Sequence, residues 1–271
     1  MNSLTIRIAD WDTTLDLTEC HDATRARLME HYAAFRVPPS PGAFTVRVRV
    51  EPGAAYISPD SSRMWQIRSA LRDGQLEFVS LFESGEMDWT TRQGALAMRS
   101  EGDPENFLRV LYAWRCLEEG ALLVHASGII RNGRGYVFFG PSGSGKTTTT
   151  RLSPRDTILS DDLVIIKKRA ARFCVYGVPF RGDLPEAPRA NAVAELQGLF
   201  ALTKSSEHRV ATMSASEAVA RLAACVPFVM THPAHARRVA EICAELRAAV
   251  PVWRLYFQRD EGFWEVIDGL V

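Results

Sequence analysis

The chain has 271 residues, 46% apolar and 24% charged, and its 32 basic residues balance 32 acidic ones. This is the composition of a folded globular protein with one large core or two modest ones, and it excludes nucleic-acid binding through bulk charge. Five scattered cysteines with no C-x-x-C spacing exclude a disulfide framework and a zinc cluster.

No apolar window approaches the length of a membrane helix. The best, residues 121–130, is short and contains His125. Residues 1–7 carry no apolar leader core, so a reduced cytoplasm is the expected compartment, with no membrane partner.

Residues 4–9 read as a strand, and residues 22–35 as a helix with Leu28, Met29, Tyr32 and Phe35 on one side. Pro38-Pro39-Ser40-Pro41-Gly42 is a break. Phe44, Val46, Val48 and Val50 alternate with Thr45, Arg47 and Arg49, the pattern of a half-buried strand. Residues 64–71 and 75–82 flank Arg72-Asp73-Gly74, a hairpin signal, and residues 95–99 add a strand. Asp103 suits a helix N-cap, Pro104 the first helical position and Gly120 the C-terminal cap. Phe107, Val110, Leu111, Trp114 and Leu117 form the core stripe of that helix. Residues 1–119 are thus expected to form a β-rich antiparallel unit with two helices.

The second unit, residues 120–271, starts with apolar strands over 122–130 and 135–139. Residues 147–152 supply one or two helical turns, and residues 157–167 and 172–180 read as strands. Residues 200–203 and 208–211 resemble a hairpin. Ser214-Ala215-Ser216-Glu217 is a capping box, and Thr231-His232-Pro233 opens a helix with Val239, Ile242, Cys243 and Leu246 on one side. Residues 252–257 and 263–267 read as short closing strands. The fold class expected is α/β (α+β), with a mixed sheet and flanking helices in the second unit.

Between the strand at 135–139 and the helix lies Gly140-Pro141-Ser142-Gly143-Ser144-Gly145-Lys146-Thr147, which reads G-x-x-x-x-G-K-T. The glycines let the backbone turn its N–H groups inward as an anion nest at a helix N-terminus. Gly140, Ser142, Gly143, Ser144, Gly145, Lys146, Thr147 and Thr148 are therefore the candidate phosphate contacts. Lys146 reaches the outer phosphates, and the Thr147 hydroxyl suits Mg²⁺. Of the 32 basic residues only four are lysines, and one of them occupies this position.

Ser160-Asp161-Asp162 lies within the next apolar strand, with an exposed turn between residues 157 and 163 as the alternative. Two carboxylates there are costly to bury without cations or donors. Neighbours on a regular strand face opposite ways, so both serve one site only if the strand ends or bulges. His125, mid-strand, is open between a satisfied core residue and a site residue. Arg181 follows a strand and suits phosphate charge, with a surface role equally open. Lys204 is a weaker candidate, and Cys174 and Cys225 read as core.

The order of Leu123-Val124-His125-Ala126-Ser127, the glycine loop and Ser160-Asp161-Asp162 resembles the C-terminal domain of HPr kinase/phosphorylase, a P-loop fold related to ATP-dependent phosphoenolpyruvate carboxykinase. The resemblance covers residues 120–166 best, and it lies nearer to HPr-kinase-like proteins of varied substrate, some of which accompany peptide-modification systems and phosphorylate a peptide serine. It implies an ATP- and Mg²⁺-dependent kinase acting on a hydroxyl of a small protein or peptide. Asp161 would be the base, Asp162 and Thr147 the metal ligands, Lys146 the phosphate cation, and His125 a neighbour of the transferring group. Arg181-Gly182-Asp183 departs from the acidic-Arg-Gly signature tied to phosphorolysis. A non-catalytic nucleotide-binding subunit and a phosphorylase or hydrolase running the transfer in reverse are the alternatives. GTP or pyrophosphate could replace ATP as donor, and a homo-oligomer is compatible with the sequence.

Overall fold

The computed structural model describes residues 2–58, 66–182 and 189–270. The chain divides into two units, Met1–Trp114 and Arg115–Val271. That division falls inside a helix, whereas the sequence suggested a boundary at its C-terminal cap.

In the first unit β1 (Ser3–Ile8) and β2 (Trp11–Glu19) form a hairpin through Ala9 and Asp10, both at positive φ (51° and 68°). The predicted helix ends early. It runs as α1 (Asp22–His31), and a 3-10 turn over Ala33–Phe35 buries Phe35 separately. Then come β3 (Phe44–Val50), β4 (Arg68–Arg72), β5 (Gln75–Val79), β6 (Glu83–Asp88), β7 (Gln93–Met98) and α2 (Glu105–Glu118). Residues 64 and 65 of the predicted strand lie outside the described residues.

The seven strands are ordered β1-β2-β3-β7-β6-β5-β4. The sheet is mixed, which corrects the antiparallel expectation: β3 runs parallel to both β2 and β7. Parallel neighbours need a crossover, and α1 with its turn provides one between β2 and β3. The strand β6, Glu-Ser-Gly-Glu-Met-Asp, has poor strand propensity and is held by pairing on both edges. Asp103 caps α2, its Oδ1 accepting the Glu105 N–H at 3.0 Å, and the stripe from Phe107 to Leu117 is buried.

Glu83 is buried where α2 begins, near the Asp103 N–H and Asn106 Nδ2, each 3.4 Å from its carboxylate, and the Ser80 hydroxyl also contacts it. Burial pushes its carboxyl from 4.5 up to about 7, against those hydrogen bonds. The folded state therefore holds this proton more tightly than the unfolded chain. Its stabilising effect is complete below about pH 4.5 and is lost as pH rises through about 7. The loss amounts to about 3 kcal/mol. Glu83→Gln is expected to flatten that pH dependence, measured by chemical denaturation at mildly acidic and mildly alkaline pH.

The second unit continues with β8 (Leu122–Arg131), β9 (Arg134–Phe139), α3 (Lys146–Arg151), β10 (Thr157–Ser160), β11 (Leu163–Arg169) and β12 (Arg172–Tyr176). It closes with β13 (Val193–Lys204), β14 (Arg209–Thr212), α4 (Ala215–Ala223), α5 (Pro233–Ala249), β15 (Val252–Phe257) and α6 (Phe263–Asp268). Its eight strands form a second mixed sheet, and the described residues hold six α-helices in all.

Two long strands shape this sheet. The start of β8 pairs with β11, and its second half runs between β9 and β10. Likewise β13 begins against β12 and ends between β9 and β15. The pairings β8–β11–β12–β13–β9–β8 thus close on themselves. They also make β9, β13 and β15 three adjacent parallel strands, with Phe139 level with Ala201 and Lys204 level with Phe257. Ligands of α/β sheets collect at the carboxyl ends of such strands.

Three sequence expectations change here. Residues 200–203 and 208–211 form no hairpin, because β15 lies between β13 and β14. The apolar Val252, Leu255 and Phe257 are better buried in the interior of the sheet than at its edge. Residues 263–267 are helical: Phe263, Trp264 and Ile267 share one buried face at i, i+1, i+4, and so short an apolar run does not distinguish helix from strand. The strand expected over 157–167 breaks in two at Asp161 and Asp162.

An aromatic cluster lies beneath the glycine loop. Phe138 stacks on Phe200 at 5.5 Å and meets Trp264 edge-on at 5.5 Å, while Phe263 reaches Phe257 at 6.1 Å. Each such pair adds about 0.5–1.5 kcal/mol beyond burial. Rigidity is thereby conferred on Phe257, which touches the loop itself.

Candidate active site

Residues 140–147 join β9 to α3, as the spacing required. Gly140, Gly143 and Gly145 adopt φ of 153°, 74° and 117°. Gly145 is doubly constrained, because a β-carbon there would sit 2.5 Å from Cζ of Phe257. Lys146 is buried, its Nζ donating to the carbonyls of Gly140 (3.2 Å) and Pro141 (3.3 Å). The Thr149 hydroxyl donates to the Lys146 carbonyl at 2.7 Å and lies 3.0 Å from the hydroxyl of Ser127, which ties α3 to β8.

Cys225 sits under the loop. Burial pushes its thiol up, against a hydrogen bond from the Gly140 backbone and the nearby Lys146 ammonium. Its carbonyl accepts the His125 N–H at 2.7 Å. It is a core residue, as its sequence context suggested.

The aspartate pair owes its geometry to Ser160. That buried hydroxyl accepts the N–H groups of Asp162 and Leu163, both at 3.2 Å, and so folds a turn where a strand would have continued. The turn lifts the alternation rule, and both carboxylates line one cleft of about 710 Å³. Asp161 is buried there at 2% exposure, with the backbone of Gly182 packed against its carboxylate. Asp162 Oδ1 lies 3.1 Å from His125 Nε2. The imidazole is 40% exposed and lines the cleft, so His125 is not a core residue.

Among the sequence candidates, the cleft gathers His125, Ser142, Gly143, Gly145, Lys146, Thr147, Thr148, Asp161, Asp162 and Lys204. Gly140 and Ser144 shape the loop from behind. Arg181 is exposed and does not line the cleft, although its neighbour Gly182 touches Asp161. Sequence reasoning missed Ser205, Phe257, Gln258 and Arg259, which also line it. They arrive through the parallel pairing of β13 with β15, a long-range contact with no local signal beyond polar residues after an apolar strand.

The site offers hard oxygen donors, the Thr147 hydroxyl and the Asp162 carboxylate, beside a buried ammonium and a glycine-built turn. That set suits a magnesium–polyphosphate ligand. Elsewhere, His31, Asp103 and Glu105 bring one ligand atom each within 4.8 Å, but Arg27 and Arg109 already pair with those carboxylates. No helix among the described residues is long and apolar enough to cross a membrane.

No curated protein matches the chain. Among solved structures, it is similar to the Hpr(Ser) kinase/phosphatase from Coxiella burnetii: 10% identity over 55% of this chain and 95% of that one, with a TM-score of 0.31. A superposition that loose carries no argument about activity. Every residue of the cleft does fall within residues 105–271, the span matched by the family model for SynChlorMet cassette protein ScmC, and since that span exceeds half of the chain, the protein belongs to the ScmC family.

Proposed function

We propose that the chain is an ATP- and Mg²⁺-dependent kinase that phosphorylates a hydroxyl, serine in a small protein or peptide. One observation carries this reading: the turn at Ser160 brings a buried carboxylate and a second, His125-paired carboxylate into the cleft that the glycine loop and Lys146 line. A nucleotide-binding module needs one carboxylate for its metal, whereas a second, buried carboxylate in the same cleft suits the general base of a phosphoryl transferase.

In this reading the loop N–H groups and Lys146 hold the β- and γ-phosphates in line with the acceptor. Mg²⁺, when bound through Thr147 and Asp162, supplies neutralisation of phosphate charge. Asp161 takes the proton of the acceptor hydroxyl as that oxygen bonds to the γ-phosphorus, and the bond from the γ-phosphorus to the bridging oxygen breaks. ADP and a phosphate monoester are the products. His125 orients Asp162 through their contact at 3.1 Å. Catalysis here is mostly positioning and charge stabilisation.

The test offers γ-labelled ATP and Mg²⁺ to the purified chain with serine peptides, small hydroxy compounds and proteins encoded beside it. Label transferred to a hydroxyl is the expected result. Tight ATP binding with no transfer to any acceptor would favour a regulatory nucleotide-binding subunit. Phosphate released from a phosphorylated acceptor would favour the reverse reaction.

A further inference from the structure

Beyond β15 the chain makes a tight turn, residues 258–262, before α6. Gln258 and Arg259 from this turn line the same cleft as Lys146 and Lys204. The turn is fastened in three ways. Phe257, at its root, is buried in the aromatic cluster. Asp260 Oδ1 accepts the Gly262 N–H at 2.9 Å and contacts His208 Nε2 at 2.6 Å. Gly262 also packs on the His208 ring, since a β-carbon there would come within 3.0 Å of it.

This lock has an electrostatic consequence. Asp260 is the nearest carboxylate in sequence to Arg259, and it is engaged by His208 and Gly262 instead. Several arginines of this unit are tied to carboxylates, among them Arg131, Arg172 and Arg254. Arg259 makes no ion pair or hydrogen bond among the described residues. Its guanidinium therefore stands exposed at the cleft with its charge available. With Lys146 and Lys204 it gives the cleft three cations against the two carboxylates of Asp161 and Asp162. That excess suits a ligand carrying several negative charges close together, and a guanidinium matches phosphate oxygens with two parallel donors.

We infer that Arg259 binds the terminal phosphate of the donor nucleotide, and that His208 and Asp260 are positioning residues that hold its turn in place. The inference rests on the kinase reading and adds to it a cation that no local motif reveals.

Titration calorimetry of the full chain with Mg–ATP and Mg–ADP tests it. Arg259→Ala is expected to weaken ATP binding about tenfold or more and ADP binding far less, because only ATP presents the terminal phosphate. Arg259→Lys should recover part of the loss. His208→Gln and Asp260→Asn should each weaken ATP binding by a smaller factor, and neither should weaken it further in the Arg259→Ala background. A purely structural role for the turn would instead lower ATP and ADP affinity equally, and additively with Arg259→Ala, which would overturn the inference. Arg259→Ala binding ATP as the wild type does would overturn it alone and leave the kinase reading intact. Wild-type protein that binds no ATP, GTP or pyrophosphate would overturn both.

Discussion

Asp161→Asn is expected to lower phosphoryl transfer by about two to four orders of magnitude while Mg–ATP affinity stays within about threefold. The carboxylate is buried at 2% exposure, and Gly182 packs closely against it. An amide of the same shape fits that space, so the fold and the cleft persist. In the proposed mechanism, what disappears is the capacity to accept the acceptor's proton. Single-turnover transfer, measured beside calorimetry on the same preparation, separates the two effects. Equal losses in binding and turnover would assign Asp161 to holding the nucleotide instead of the proton.

Gly145→Ala is expected to abolish nucleotide binding, by about a hundredfold or more, through the loop's geometry. At φ of 117° an alanine is strained by about 1–3 kcal/mol. Its β-carbon would also meet Phe257 Cζ at 2.5 Å, and Phe257 cannot yield, because Phe263 and the cluster around it fix its ring. The loop must move instead, and with it the backbone N–H groups expected to meet the phosphates. Adding Phe257→Leu removes the clash and leaves the strain, so the double variant should recover only part of the affinity. Mg–ATP titrations with melting curves on both variants check this. Binding in Gly145→Ala equal to wild type would show that the loop does not hold phosphate in this conformation.

The parts of the site that were legible in the sequence are those whose geometry is local. Glycine spacing between an apolar strand and a helix start fixes the loop, because backbone freedom and the N-terminal amides are properties of consecutive residues. The two aspartates were legible as an anomaly within an apolar run. The cause of the break was not: it is the Ser160 hydroxyl accepting two backbone N–H groups, a side-chain contact that competes with strand pairing and leaves no periodic signal. Helix caps at Asp103 and Ser214 also lay in plain view, since a cap is a contact over two or three residues.

Long-range pairing escaped. The insertion of β15 between β13 and β14, the parallel neighbours of β3 and the wall built by Phe257 and Arg259 all depend on strands far apart in sequence. Alternation says which face of a strand is buried and is silent about its partner. The closing segment shows the limit of short runs: Phe263, Trp264 and Ile267 satisfy either period, and burial of all three on one face decided for the helix.

The most direct test of the account is calorimetry of Mg–ATP binding to the wild type beside Lys146→Ala. Lys146 is buried within the loop, its Nζ against the Gly140 and Pro141 carbonyls, so its removal should take the phosphate site with it and leave the fold intact. The account predicts saturable binding to the wild type and at least about a hundredfold weaker binding to the variant, since the proposed role of the ammonium is charge-assisted contact with the outer phosphates. A wild type that binds neither ATP nor GTP nor pyrophosphate, or a variant that binds as well as the wild type, would contradict it.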